Sequence, residues 1–174
     1  MKKALMLLAV LALVFSFVVG CSSKPADTEE PANNEEQQPA EETAKVDVSS
    51  LEDGTYHAEE ADFGDSGWKY VVDVEVKDGK IVDATWNGLF KDGGDDKITQ
   101  SKSGEYGMVE NGGASAEWHE QAELVEKYLV EIQDPTAVEY TSEEGHADAI
   151  TGASIHVKEF FDLATKALSS DPVK

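Results

Sequence analysis

The 174-residue chain carries 36 acidic residues against 14 basic ones, all lysine, for a formal charge of -22. So acidic a chain excludes nucleic acid as a partner and excludes docking on anionic lipid by charge. With no guanidinium fork available, a bound phosphate must be held by backbone N–H groups, hydroxyls or lysine.

Lys2 and Lys3 precede an apolar run over residues 4–19 that stops at Gly20 and Cys21, the chain's single cysteine. The run is short for a spanning helix and has no basic stop-transfer flank, so residues 1–20 read as an export signal. Val18-Val19-Gly20-Cys21 resembles the lipobox of bacterial lipoproteins. That resemblance implies cleavage before Cys21, lipid on its sulfur and amino group, and anchoring at the extracytoplasmic face of the cell membrane. Several acyl chains hold firmly where one does not. An ordinary cleaved signal followed by a stray cysteine is the alternative. Once Cys21 is lipidated, no thiol is left for a disulfide, a thiolate metal site or a nucleophile. Residues 21–50 are rich in Glu, Pro, Ala, Asn and Gln and nearly free of large apolar side chains before Val46. This composition predicts an extended acidic linker.

Residues 51–170 make one domain, strands first and helices after. A short strand is expected over Thr55–Glu59, with Tyr56 and Ala58 on one face. Trp68–Lys77 alternates, with Trp68, Tyr70, Val72, Val74 and Val76 facing one way. Asp78-Gly79 signals a two-residue hairpin, and Lys80–Trp86 returns with Val82, Ala84 and Trp86 on one side. Residues 87–114 are polar and glycine-rich and read as a long loop, either a solvated excursion or a ligand wall carrying Tyr106 and Met108. A helix capped by Ser115 follows to about Ile132, with Trp118, Ala122, Val125, Leu129 and Ile132 in its apolar stripe, and Asp134-Pro135 ends it. Ala137–Tyr140 is a candidate short strand. The last helix is expected from about Ser154 to Leu168, burying Val157, Phe160, Phe161, Ala164 and Leu168. The fold class is therefore α+β: a twisted antiparallel sheet with one wet face, packed against helices.

His57, His119, His146 and His156 show no metal-ligand spacing, although His146 and His156 flank a turn that could face a bound group. No calcium loop, phosphate-binding glycine loop, hydrolase elbow or other catalytic constellation is present. Asp148-Ala149-Ile150-Thr151-Gly152-Ala153-Ser154 remains. Read locally, Thr151 or Ser154 caps the following helix and Gly152 serves the turn. Read chemically, a small-residue turn at a helix start offers a hydroxyl and N–H donors to an anionic group.

The same run resembles the flavinylation motif of FMN-binding domains: Asp, two variable residues, Ser or Thr, Gly, Ala, then Ser or Thr. Asp53-Gly54-Thr55-Tyr56 with Ala58, and Val74 through Ile81, resemble the opening of that domain. Lys102 through Met108 and Gln133-Asp134-Pro135 resemble its lipoprotein branch. The resemblance implies FMN joined through its phosphate to Ser154 by a separate flavin transferase that uses FAD and magnesium, with Asp148, Thr151, Gly152 and Ala153 as the surrounding binding residues. Threonine is commoner at the last position, but serine keeps the hydroxyl. The implied function is an electron carrier rather than an autonomous enzyme. It would pass electrons from a membrane donor, such as quinol or a flavoprotein dehydrogenase, to an external acceptor. A surface lipoprotein without flavin, acting as a binding module, is the alternative.

Overall fold

The structure is a computed structural model that describes residues 45–174. The leader, Cys21 and the linker as far as residue 44 lie outside the described residues. Strands β1 (Gly54–Glu59), β2 (Trp68–Lys77) and β3 (Lys80–Phe90) form an antiparallel sheet in the order β1-β2-β3. Helices α1 (Lys97–Ser103), α2 (Met108–Gly112), α3 (Trp118–Ile132) and α4 (Lys158–Leu168) follow, so the chain is α+β. None of the described helices is long and apolar enough to cross a membrane.

The β2–β3 turn forms where Asp-Gly marks it, with Asp78 at φ 51° and Gly79 at φ 69°, the pair of positive angles that a tight hairpin requires. One expected face is wrong just after it. Val76 pairs with Ile81 and Glu75 with Asp83, so Val82 is an extra residue in β3. The bulge turns Ile81 into the core and leaves Val82 exposed, because one inserted residue reverses the side-chain alternation. Beyond it the pattern resumes, with Ala84 and Trp86 buried.

Tyr56, Ala58, Val72, Val74, Val76, Ile81, Ala84 and Trp86 make the sheet's inner face. Phe160, Phe161, Ala164 and Leu168 of α4 and Trp118, Ala122, Val125 and Leu129 of α3 cover it. Burying each large apolar side chain contributes roughly 1.5–3 kcal/mol. The outer face carries His57, Asp73 and Glu75 and stays wet; His57 Nδ1 lies 2.8 Å from Asp73 Oδ1.

Helix α3 also closes the free edge of β3. The Gln133 amide accepts the Ile81 N–H at 2.8 Å and donates to the Ile81 carbonyl at 2.7 Å, which copies a strand partner beside the bulge. Glu126 accepts the Trp86 N–H at 2.7 Å. Burial pushes the Glu126 carboxyl up to about 7, although the Trp86 N–H opposes the shift.

Several boundaries differ from the sequence expectation. β3 runs to Phe90, and the supposed loop over 87–114 contains α1 and α2. Both helices are short and held by caps on neighbouring elements rather than by an apolar stripe, so periodicity could not show them. α3 starts at Trp118, where Glu120 takes the Glu117 N–H, and not at a Ser115 cap. Residues 137–140 form no strand, and α4 starts at Lys158 rather than Ser154. The chain before α4 is instead tied across to Gly145, whose carbonyl accepts the Val157 N–H at 2.8 Å.

The domain also reaches past both expected limits. Val48 is in the core, within a 3-10 turn over Val48–Ser50 capped by Asp47, and Ser49 lies against Gly79 of the hairpin. At the other end Val173 bridges to Thr55 of β1.

Candidate functional site

A cleft of about 290 Å³ lies where β2 begins and α4 begins, lined by Tyr70, Lys97, Tyr106, Met108, Trp118 and Ser154 among others. A larger depression of about 860 Å³ is lined instead by Lys45–Ser49, the hairpin turn and the end of α3. It holds no concentrated chemistry; the smaller cleft does.

Lys97 is at the centre of the smaller cleft. It opens α1, which is fixed by Asp96 accepting the Thr99 N–H at 2.8 Å and by Asn87 of β3 accepting the Ile98 N–H at 3.1 Å. Gly88 of β3 makes the room: a Cβ there would press on both the Lys97 stem and the Trp68 ring. The Lys97 side chain is 2 % exposed. Its Nζ donates to Tyr70 Oη at 2.7 Å and lies 4.7–5.1 Å from the ring centroids of Tyr70, Tyr106, Trp118 and Trp68. Aromatic faces attract a desolvated ammonium. Burial still pulls Lys97 down to about 8, with the Glu159 and Glu60 carboxylates pulling the other way. Burial raises the Tyr70 hydroxyl, which therefore stays protonated.

Glu159, in the first turn of α4, lines the same cleft, and its Oε2 is buried with no hydrogen-bond partner among the described residues. Tyr106 is brought in by its N–H donating to Gln100 at 3.0 Å, and Met108 by Glu117, whose carboxylate accepts the Met108 and Val109 N–H groups. Of residues 87–114, Lys97, Tyr106 and Met108 thus line the cleft.

Ser154 sits exposed on the rim. Its N–H and hydroxyl both donate to Gln121 Oε1, at 2.7 and 3.1 Å. Gln121 is completely buried on α3 and its amide donates to the Ala116 carbonyl at 2.9 Å. The expectation that Ser154 opens a helix, with free N–H donors and the positive dipole at the phosphate, is therefore corrected. A neutral amide also cannot act as a general base, so Ser154 has no partner for nucleophilic catalysis. A serine–imidazole contact elsewhere, Ser101 Oγ to His119 Nδ1 at 2.8 Å, is structural: the buried hydroxyl also accepts the His119 backbone N–H at 3.0 Å and ties α1 to α3.

The rest of the turn has mixed placement. Asp148 and Thr151 are exposed, and Asp148 meets only the Thr141 hydroxyl at 3.4 Å. Ala153 packs half-buried against the core. Gly152 has φ +95°, an angle that favours glycine, and a Cβ there would come within 2.9 Å of a Leu124 methyl, which would have to turn aside. His146 and His156 come together despite their distant numbers, with ring centroids 4.6 Å apart.

Comparison with solved structures places this arrangement among known folds. A Clostridium thermocellum protein solved by solution NMR is 64 % identical, matching 68 % of this chain and 91 % of its own with a TM-score of 0.54. The chain belongs to that protein's family. A Clostridium perfringens protein of known crystal structure is 29 % identical over 68 % of this chain and 87 % of its own, with a TM-score of 0.52. No family profile and no curated protein matches. The family relation supports the fold, and the chemistry has to be argued from the cleft.

Sequence reasoning missed Lys97, Glu159, Tyr70 and Gln121 as site residues. Gln121 left a signal, being a polar residue three positions after Trp118 on the apolar stripe of α3. Lys97 left none, since its burial depends on four rings from three separate segments.

Proposed function

We propose that the chain is an extracytoplasmic electron carrier, lipid-anchored through Cys21, that holds FMN by a phosphodiester to Ser154. The observation that carries this reading is the Ser154 hydroxyl on the rim of a cleft with aromatic walls, a caged lysine and an unpartnered buried carboxylate oxygen. A flat ring with a polar edge fits such a cleft. Tyr106 would supply a face, the caged Lys97 would set its charge beside the ring, and Glu159 would accept from a ring N–H. FMN, when bound, supplies reversible electron acceptance and donation, while the protein supplies position and electrostatics. Gln121 holds the Ser154 side chain and its backbone in one orientation, and Gly152 keeps the preceding turn small. Nothing in the cleft pairs a base with a nucleophile, which favours a carrier over a self-contained enzyme.

Loading depends on a separate flavin transferase with FAD and magnesium. The donor is a membrane quinol or a flavoprotein dehydrogenase, and the acceptor lies outside the cell. Coexpression with a flavin transferase, followed by peptide mass mapping, is the direct test. FMN mass should appear on the Ser154 peptide and vanish in Ser154→Ala, which stays folded. FMN mass on Thr151 would move the attachment site. A colourless wild-type chain under full transferase activity would overturn the reading in favour of a binding lipoprotein without flavin.

A further inference from the structure

At the margin of the cleft, which His156 also lines, the fold assembles a second group of chemically competent side chains. Glu144, His146 and His156 each present one ligand-type atom, and these atoms all lie within 4.8 Å of one another. The nine residues between the histidines are the reason sequence spacing gives no sign of it. Two backbone hydrogen bonds bring them together: the Thr141 N–H to the His146 carbonyl at 2.7 Å, and the Val157 N–H to the Gly145 carbonyl at 2.8 Å. Gly145 is buried at φ +89° and its α-carbon lies directly against Lys158, which no side chain would allow.

We propose that Glu144, His146 and His156 bind one divalent transition-metal ion of the zinc class, which clasps the two ends of the turn that carries Asp148–Ser154. Two imidazoles and a carboxylate suit zinc, nickel or cobalt rather than magnesium or calcium, which take all-oxygen shells. Three protein ligands with Glu144 and His156 exposed leave a coordination position open to water. Small side-chain rotations draw the donor atoms from 4.8 Å into a metal shell. The surroundings favour a cation. Glu143 and Asp148, close in sequence, are exposed, and the Lys158 ammonium is paired with Asp162. None of its ligands is the proposed attachment residue, but His156 also lines the cleft, so the site is tested on protein that carries no flavin.

The test uses the full-length Ser154→Ala chain, which cannot take flavin there, made without a polyhistidine tag and stripped of metal. Calorimetric titration with zinc chloride should show saturable binding of one ion per chain, with a rise in Tm. Cobalt chloride should give visible ligand-field absorption. His146→Ala and His156→Ala should each weaken zinc binding at least a hundredfold, and Glu144→Gln at least tenfold. His57→Ala and His119→Ala should bind as the parent does. Magnesium chloride at the same concentration should not compete. Absence of saturable zinc binding would overturn the proposal. So would binding that survives in folded His146→Ala and His156→Ala, because the acidic surface alone would then explain it.

Discussion

Gln121 shows how much of the site hangs on one buried amide. Its single carbonyl oxygen satisfies both the N–H and the hydroxyl of Ser154, 33 residues away in sequence. Gln121→Leu keeps the volume and removes both bonds and the bond to Ala116, so it should cost about 1–3 kcal/mol in urea denaturation. Unchanged stability would mean Ser154 finds another partner. Gly152→Ala should destabilise by roughly 1–3 kcal/mol, since it combines a left-handed backbone angle with the Leu124 contact. Lys97→Met preserves the packing of the stem and deletes the charge. In the flavin-loaded protein it should lower the midpoint potential, because a cation beside the ring stabilises the electron-rich reduced form. A redox titration that gives the wild-type potential would move the ring out of this cleft. The Asp148–Ser154 run was readable in the sequence because contiguous residues make it. Lys97 and Glu159 were not, because their meaning lies in what surrounds them.

Among the elements, α3 has two jobs: it covers the core and it finishes the sheet. Glu126 and Gln133 occupy backbone groups of β3 that would otherwise face solvent or a foreign strand. Glu126 makes this pH-dependent. Its pKa is raised to about 7 by burial, so the folded state holds the proton more tightly than the unfolded chain does. Its contribution is complete below the ordinary carboxylate range and is lost as pH rises through about 7. Glu126→Gln should flatten the stability profile over that window in urea melts taken at successive pH values. A profile with the wild-type slope would assign the titration to another group. The strand and helix periodicities in β1, β2 and the stripe of α3 were legible in advance, because each repeats over a continuous face. The bulge at Val82 was not, because an insertion of one residue depends on a partner strand. Nor were α1 and α2, whose ends are capped from Asn87 and Glu117 on other elements.

On the scale of the molecule, the charge of -22 governs encounters. Under the proposed function, the flavin-loaded, reduced chain should pass electrons to a cationic acceptor more slowly as ionic strength rises, and to an anionic one faster. Stopped-flow oxidation with a matched pair of small acceptors reads both slopes, and equal slopes would show that the cleft mouth is shielded from the overall field.

The sheet also gives the domain two poles. The 3-10 turn at Val48–Ser50 lies by the hairpin and Val173 lies on the first residues of β1, so both described ends of the chain gather at the turn end of the strands. Tyr70 and Lys97 mark the other end. At about 3.3 Å per residue, the length of β2 separates the two by roughly 20–25 Å. Residue 45 therefore enters the described domain at its heel, and the cleft lies at the toe, the length of a strand away.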